Sequence, residues 1–112
     1  MLNFFKSKPA REIAPAEADR RARAGEILLV DVREPNEWAA MHVAGAISAP
    51  LSTLATHLER LPSDKPVVFY CLGGKRSAAA IEQSRKLGFA HDTHVTGGIT
   101  AWRQAGLPVV SK

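Results

Sequence analysis

Cys71 is the only cysteine in the chain, and the residues that follow it are of the kinds that make a thiol reactive. It ends the apolar run Val67-Val68-Phe69-Tyr70 and precedes Leu72-Gly73-Gly74-Lys75-Arg76-Ser77, a glycine pair and two cations at the start of a helix-forming stretch. Glycines take backbone angles closed to other residues, so successive N–H groups can turn inward as a nest. A helix start adds unpaired N–H donors and the positive end of its dipole, and the two together hold an anion. A free thiol with a pKa of about 8.5 is only about 3% ionised at pH 7, and a downward shift of about two units, worth roughly 2.7 kcal/mol, makes it mostly thiolate. Loop amides with Lys75 and Arg76 are expected to supply that shift, and ionised sulfur is the competent nucleophile. Taken singly, Cys71 reads as a small buried hydrophobe, Gly73-Gly74 as an ordinary turn and Lys75-Arg76 as a solvated pair. Their joint placement points to sulfur chemistry at Cys71, on a loop and not in the core.

The elements that must position this loop alternate along the chain. Ala16 to Ala24 is rich in Ala, Glu and Arg and stops before Gly25, which reads as a helix with its glycine stop. Ile27 to Val32 is apolar on consecutive positions, so both faces of that strand are covered, as in a parallel sheet. Pro35 to Ala40 predicts a short helix, Gly45 to Ile47 a brief strand, and Leu51 to Leu61 a helix with apolar positions at Leu51, Leu54, Leu58 and Leu61. Val67 to Tyr70 is a second fully buried strand. Ser77 to Leu87 is its following helix, His94-Val95 a last strand, and Ile99 to Gln104 a final helix. The alternation implies a three-layer α/β domain with a central, mostly parallel sheet of about five short strands flanked by helices. Sites in such sheets lie beyond the carboxyl ends of the strands, where Cys71 falls.

A chain of 112 residues with 46% hydrophobic content fits one domain, expected over residues 10–112 behind a flexible tail at residues 1–9. Fifteen Lys and Arg against eleven Asp and Glu give a net charge of +4, which favours anionic small molecules and is too mild and scattered for nucleic acid. No apolar run approaches the length of a membrane-spanning helix, and Met1 to Phe5 is too short for the core of a secretory signal. A lone cysteine forms no internal disulfide, which together with these points suggests a reducing, cytoplasmic setting. His57, His91 and His94 lack metal-ligand spacing and are expected at the surface, so no metal site is expected.

The segment Cys71-Leu72-Gly73-Gly74-Lys75-Arg76-Ser77 resembles the C-x-x-G-x-R-S active loop of the rhodanese-like family. Further landmarks of that family follow its order and spacing: Asp31-Val32-Arg33-Glu34-Pro35 with Glu37-Trp38, His42-Val43-Ala44-Gly45-Ala46-Ile47, and Gly97-Gly98-Ile99 with Ala101-Trp102 and Ala105-Gly106-Leu107-Pro108. The resemblance covers about residues 13–109, and Met41 and Val43 stand where the family usually has Gly and Ile. It implies a single-domain thiosulfate sulfurtransferase with no cofactor. Cys71 would take sulfane sulfur from a donor such as thiosulfate or a persulfide, and pass it from a persulfide to cyanide or a thiol, a sulfur-accepting protein included. Loop amides from Leu72 to Ser77 would hold the persulfide anion, while Arg76 and Lys75 would attract the donor's oxyanion. Asp31 is implied to order backbone donors near the loop and His42 to serve as a structural hydrogen-bonding residue.

Asp31 and Arg33 end the strand next to that of Cys71 and are expected to border the same cleft, with Arg33 paired to Glu37. Gly97-Gly98 is expected to make a tight turn into the last helix, and Trp102 to pack in the core. Two other functions use similar parts. A cysteine phosphatase or arsenate reductase also needs a thiolate in an amide cradle, but phosphatases use C-x5-R, and here only four residues separate Cys71 from Arg76. A catalytically silent module that recognises a partner is the other, and the intact Cys71 and Arg76 speak against it.

Overall fold

A computed structural model describes residues 9–111. Five strands, β1 (Arg11–Ile13), β2 (Leu28–Asp31), β3 (Ile47–Ser48), β4 (Val67–Tyr70) and β5 (Thr93–Val95), form one sheet in the order β1-β5-β4-β2-β3. Every pairing is parallel. The helices are α1 (Pro15–Arg23), α2 (Pro35–Ala40), α3 (Leu54–Leu58), α4 (Lys75–Lys86) and α5 (Gly98–Gln104). The expected three-layer architecture is therefore present.

Alternation along the central strand explains the layers, because successive side chains of a strand point to opposite faces. Val67 and Phe69 of β4, continued by Cys71, join Val30, Leu54, Leu58, Ala80 and Ile81 in one buried cluster, which α3 and α4 cover. Val68 and Tyr70 join Ala18, Leu29, Val95, Ile99 and Trp102 in the other, under α1 and α5. A strand coated on both faces needs consecutive apolar residues, which is what β2 and β4 carry.

Three elements depart from the sequence reading. Strand β1 was not expected; its Arg-Glu-Ile has no apolar run and becomes a strand by pairing with the sheet edge at β5. The helix expected from Leu51 to Leu61 is a 3-10 turn at Leu51–Thr53 followed by the short α3, with a break at Thr53 (φ −129°, ψ 28°). Helix α4 begins at Lys75, two residues before the expected start, because Gly74 at φ +125° already ends the loop. The expected tail falls on residues 1–8, outside the described residues, apart from Pro9. Among the described residues no helix is long and apolar enough to cross a membrane.

Candidate active site

The Cys71 sulfur lies beneath the turn that joins β4 to α4. The Gly74 amide donates to Sγ at 3.0 Å, and the Ser77 hydroxyl, from the first turn of α4, lies 3.5 Å from the same atom. Burial of the sulfur pushes its pKa up, but the Ser77 hydroxyl and the amides of Ser77, Gly74 and Gly73 together pull harder, so the thiol titrates below its ordinary value. Cys71 itself is only 1% exposed and belongs to the core cluster under α4, so the thiol forms the outer edge of the core and not a loop side chain. Leu72 and Gly73 above it are exposed. Among the described residues no group of His, Cys, Asp and Glu is placed to hold a metal ion.

The loop is fastened from the other side of the sheet. The first amides of α5 reach back to its carbonyls: Ile99 N–H donates to Cys71 O at 2.9 Å and Thr100 N–H to Leu72 O at 3.1 Å. Gly97 and Gly98 both have positive φ, +72° and +62°, which delivers the tight turn expected there. Trp102 is buried as expected, and its indole N–H donates to Pro108 O at 2.9 Å.

The charged residues pair differently from the expectation. Glu37 binds Arg76, not Arg33, through two bonds of 2.7 and 3.0 Å. Arg33 turns instead to Asp31, at 2.7 Å, and also donates to Met41 O at 2.7 Å. A carboxylate within reach of the delocalised fork of Arg76 is matched bidentately, and this outweighs the expected pairing with Arg33. The Arg76 guanidinium, with some help from the Glu34 amide, lowers the Glu37 pKa to about 2 against the cost of burial. Lys75 is exposed.

Asp31 is fully buried and accepts the Arg33 backbone amide at 2.9 Å besides its guanidinium. It lies on the α5 face of the sheet, opposite the Cys71 sulfur, and only Arg33 of the two reaches a cleft next to the loop. That cleft, of about 420 Å³, is lined by Arg33, Met41, Leu72, Ile99, Thr100 and Arg103 among others. His42 stacks on Trp38 with ring centroids 3.6 Å apart, its Nδ1 lies 2.9 Å from Trp38 O, and its backbone bridges to Val110. Met41 has extended backbone (φ −169°), which any residue adopts, so replacing the family's Gly distorts nothing here.

His94 corrects the sequence reading outright. It is 6% exposed, not a surface residue, because it alternates with Val95 along β5 and so faces α4, in register with Phe69. Its Nδ1 lies 2.6 Å from the Ser77 hydroxyl. His57 and His91 are half-buried, and His91 stacks on Phe89. The residues that sequence reasoning missed at the site are thus His94, Glu37 as the partner of Arg76, and Glu12 on the unforeseen β1. For His94 the usable signal was its place beside Val95 in a two-faced buried strand.

The ion pair at the loop carries a pH signature. The folded-state pKa of Glu37 is about 2, below the roughly 4.3 of an unfolded Glu. A depressed carboxylate contributes stability that is present above the unfolded value and lost as pH falls through the folded one. Wild-type stability is therefore expected to decline between about pH 4 and pH 2, in part through Glu37. In Glu37→Gln that part of the slope is absent. Urea midpoints measured across this acid range check it, and identical slopes in the two proteins contradict it.

Comparison with known proteins agrees with this geometry. The family model described as the Rhodanese-like domain matches residues 14–105. The chain is 40% identical over 98 residues to an uncharacterized protein of Synechocystis sp., slr1261, covering 88% of this chain and 55% of that protein, so it spans about half the length of that relative. It is 34% identical over 94 residues to a sulfurtransferase of Allochromatium vinosum, covering 84% and 88% of the two chains. Among solved structures, a rhodanese-related protein from Thermoplasma volcanium superposes with a TM-score of 0.79 at 36% identity, covering 91% of this chain and 99% of that one. The chain belongs to the rhodanese-like domain family.

Proposed function

We propose that this chain is a sulfurtransferase that moves sulfane sulfur, from a donor such as thiosulfate or a persulfide, to a thiol or cyanide through a persulfide on Cys71. The observation that carries this reading is the buried sulfur held by the Gly74 amide at 3.0 Å and drawn below its ordinary pKa. In the first half-reaction the Cys71 thiolate attacks the outer sulfur of thiosulfate; the new S–S bond forms, the donor's S–S bond breaks, and sulfite leaves with the electron pair. In the second the acceptor attacks the outer sulfur of the persulfide, and Cys71 departs as thiolate. The same amides that hold the thiolate suit the persulfide anion and the departing thiolate.

Arg76 is paired with Glu37, so the exposed Lys75 is assigned the larger share in meeting an anionic donor. The same pairing weakens the phosphatase alternative, since both donors of the Arg76 fork that a phosphate would need are taken by a carboxylate. We assign the activity to residues 10–112, in a reducing cytoplasmic setting that suits a lone catalytic thiol, with a sulfur-accepting protein as a further candidate acceptor.

Incubation with thiosulfate is expected to add the mass of one sulfur atom to Cys71, and subsequent cyanide to remove it as thiocyanate. Wild-type protein that gains no such adduct from thiosulfate or from a small-molecule persulfide overturns the proposal.

A further inference from the structure

Behind the Cys71 sulfur a chain of side chains runs through the interior to the far edge of the sheet. Sγ is 3.5 Å from Ser77 Oγ, which is 2.6 Å from His94 Nδ1, and His94 Nε2 faces the Glu12 carboxylate of β1 at 3.9 Å. Ser77 is fully buried and His94 nearly so, while Glu12 is largely exposed. α4, β5 and β1 each supply one member; the first two steps are within hydrogen-bond reach, and the last is an electrostatic contact longer than a hydrogen bond.

Protons can be assigned along it from donor capacity alone. The carboxylate of Glu12 accepts only, so it favours the tautomer with the proton on Nε2. Nδ1 then presents a lone pair to Ser77 at 2.6 Å, closer than the Gly74 carbonyl that also lies within reach of the hydroxyl at 3.2 Å, so the single hydroxyl proton is assigned to Nδ1 and the Ser77 oxygen is left to accept from the Cys71 S–H. We propose that His94 is a positioning residue that takes up the Cys71 proton through Ser77, so that thiolate and imidazolium form together at the two ends of one buried relay. The thiol proton moves to Ser77 Oγ as the hydroxyl proton moves to Nδ1. Afterwards Nδ1–H donates to Oγ, the new hydroxyl donates to the sulfur anion, and Nε2–H remains toward Glu12. No bond other than these changes, and the net charge is the same before and after.

Burial lowers the His94 pKa more than Glu12 raises it, so the ring is neutral before the proton moves, and the imidazolium, once formed, is held against that burial by the thiolate at the other end of the relay. The charged groups facing the relay are Glu12 from β1 at the imidazole end and, at the sulfur end, Arg76 from α4, itself paired with Glu37 of α2. Phe69 of β4, in register with His94, supplies an apolar flank. Two groups linked in this way titrate as a pair.

The inference rests on the sulfurtransferase reading for its purpose, since transfer needs thiolate, but it is tested without any sulfur donor. Alkylation of Cys71 by iodoacetamide, followed across pH, reports the thiolate fraction. Ser77→Ala and His94→Gln, the latter able to hydrogen-bond but not to titrate, are each expected to slow alkylation at neutral pH about tenfold, one unit of thiol pKa. The double variant is expected to lose no more than the slower single one. A His94→Gln profile that coincides with wild type, or losses that multiply in the double variant, overturn the relay. Should the variants not fold, nitrogen chemical shifts of the His94 ring in the wild type decide. Its titration midpoint is expected to fall by about one unit once Cys71 is alkylated, and an unmoved midpoint refutes the coupling. Sulfur loading with an unmoved alkylation profile removes the relay and leaves the sulfurtransferase reading in place; the reverse result removes that reading alone.

Discussion

Cys71→Ser is expected to yield a folded domain that transfers no sulfur. A serine hydroxyl at this position is not ionised near neutrality and does not attack a sulfane sulfur, so both half-reactions lose their nucleophile. The fold is expected to survive because the replacement changes one atom and keeps polar partners. The Gly74 amide that donates to Sγ at 3.0 Å can donate to an oxygen, and the Ser77 hydroxyl is within reach of it. Since the residue is buried in the core cluster, exchanging sulfur for a hydroxyl is not free; a cost of about 1 kcal/mol fits a buried hydroxyl that finds partners. Thiocyanate production from thiosulfate and cyanide, measured beside thermal unfolding, checks both halves. Residual transfer within tenfold of wild type would remove Cys71 from the centre of the chemistry.

Gly98→Ala carries the largest expected effect on the scaffold. At φ +62° an alanine is strained by about 1 kcal/mol whatever its surroundings. Here its Cβ would also clash with Leu72 O and Cys71 O, both backbone atoms that cannot rotate away. These are the carbonyls that Ile99 and Thr100 hold, so relief requires α5 to lift from the loop. A combined loss of roughly 2–4 kcal/mol is expected, in the range of substitutions that force backbone apart. Displacement of the Cys71 peptide by about 1 Å is enough to cost about 100-fold in turnover, so transfer should fall more steeply than stability. Gly106→Ala is the control: its φ is also positive, at +77°, but nothing lies within 4 Å of the added carbon, and a loss of only about 1 kcal/mol is expected there. Equal denaturant midpoints for the two variants would show that steric contact with the loop is unimportant.

The parts of this fold that were legible are those whose own residues decide their state. Val67 to Tyr70 reads as a doubly covered strand because its four residues are apolar without interruption, and Pro35 to Ala40 reads as a helix because proline opens it and the chain has few other options there. β1 was not legible, since Arg11, Glu12 and Ile13 have no preference that distinguishes them from a loop, and only a neighbour far along the chain makes them a strand. The same distinction divides the site. Cys71 with its glycines and the helix that follows them is a local pattern. The partner of Glu37 is not, because a candidate four residues away in Arg33 competes with one 39 positions away in Arg76, and the sequence holds no record of which the tertiary fold brings into reach. His94 escaped for a related reason: its place beside Val95 signals burial, but its hydrogen-bond partner Ser77 lies 17 positions away and only the tertiary fold brings the two together.

The two bonds from Ile99 and Thr100 to the loop also fix when this protein can become competent during its synthesis. A ribosome that has released β4 and α4 has released the thiol and its helix, but not the residues that tie down the peptide carrying it. The reactive centre is completed only once the Gly97 turn and the start of α5 have followed. A nascent or prematurely ended chain that stops before Gly97 thus holds its cysteine in an unfinished setting, and the proposed sulfur loading is expected to wait until the polypeptide can close on itself.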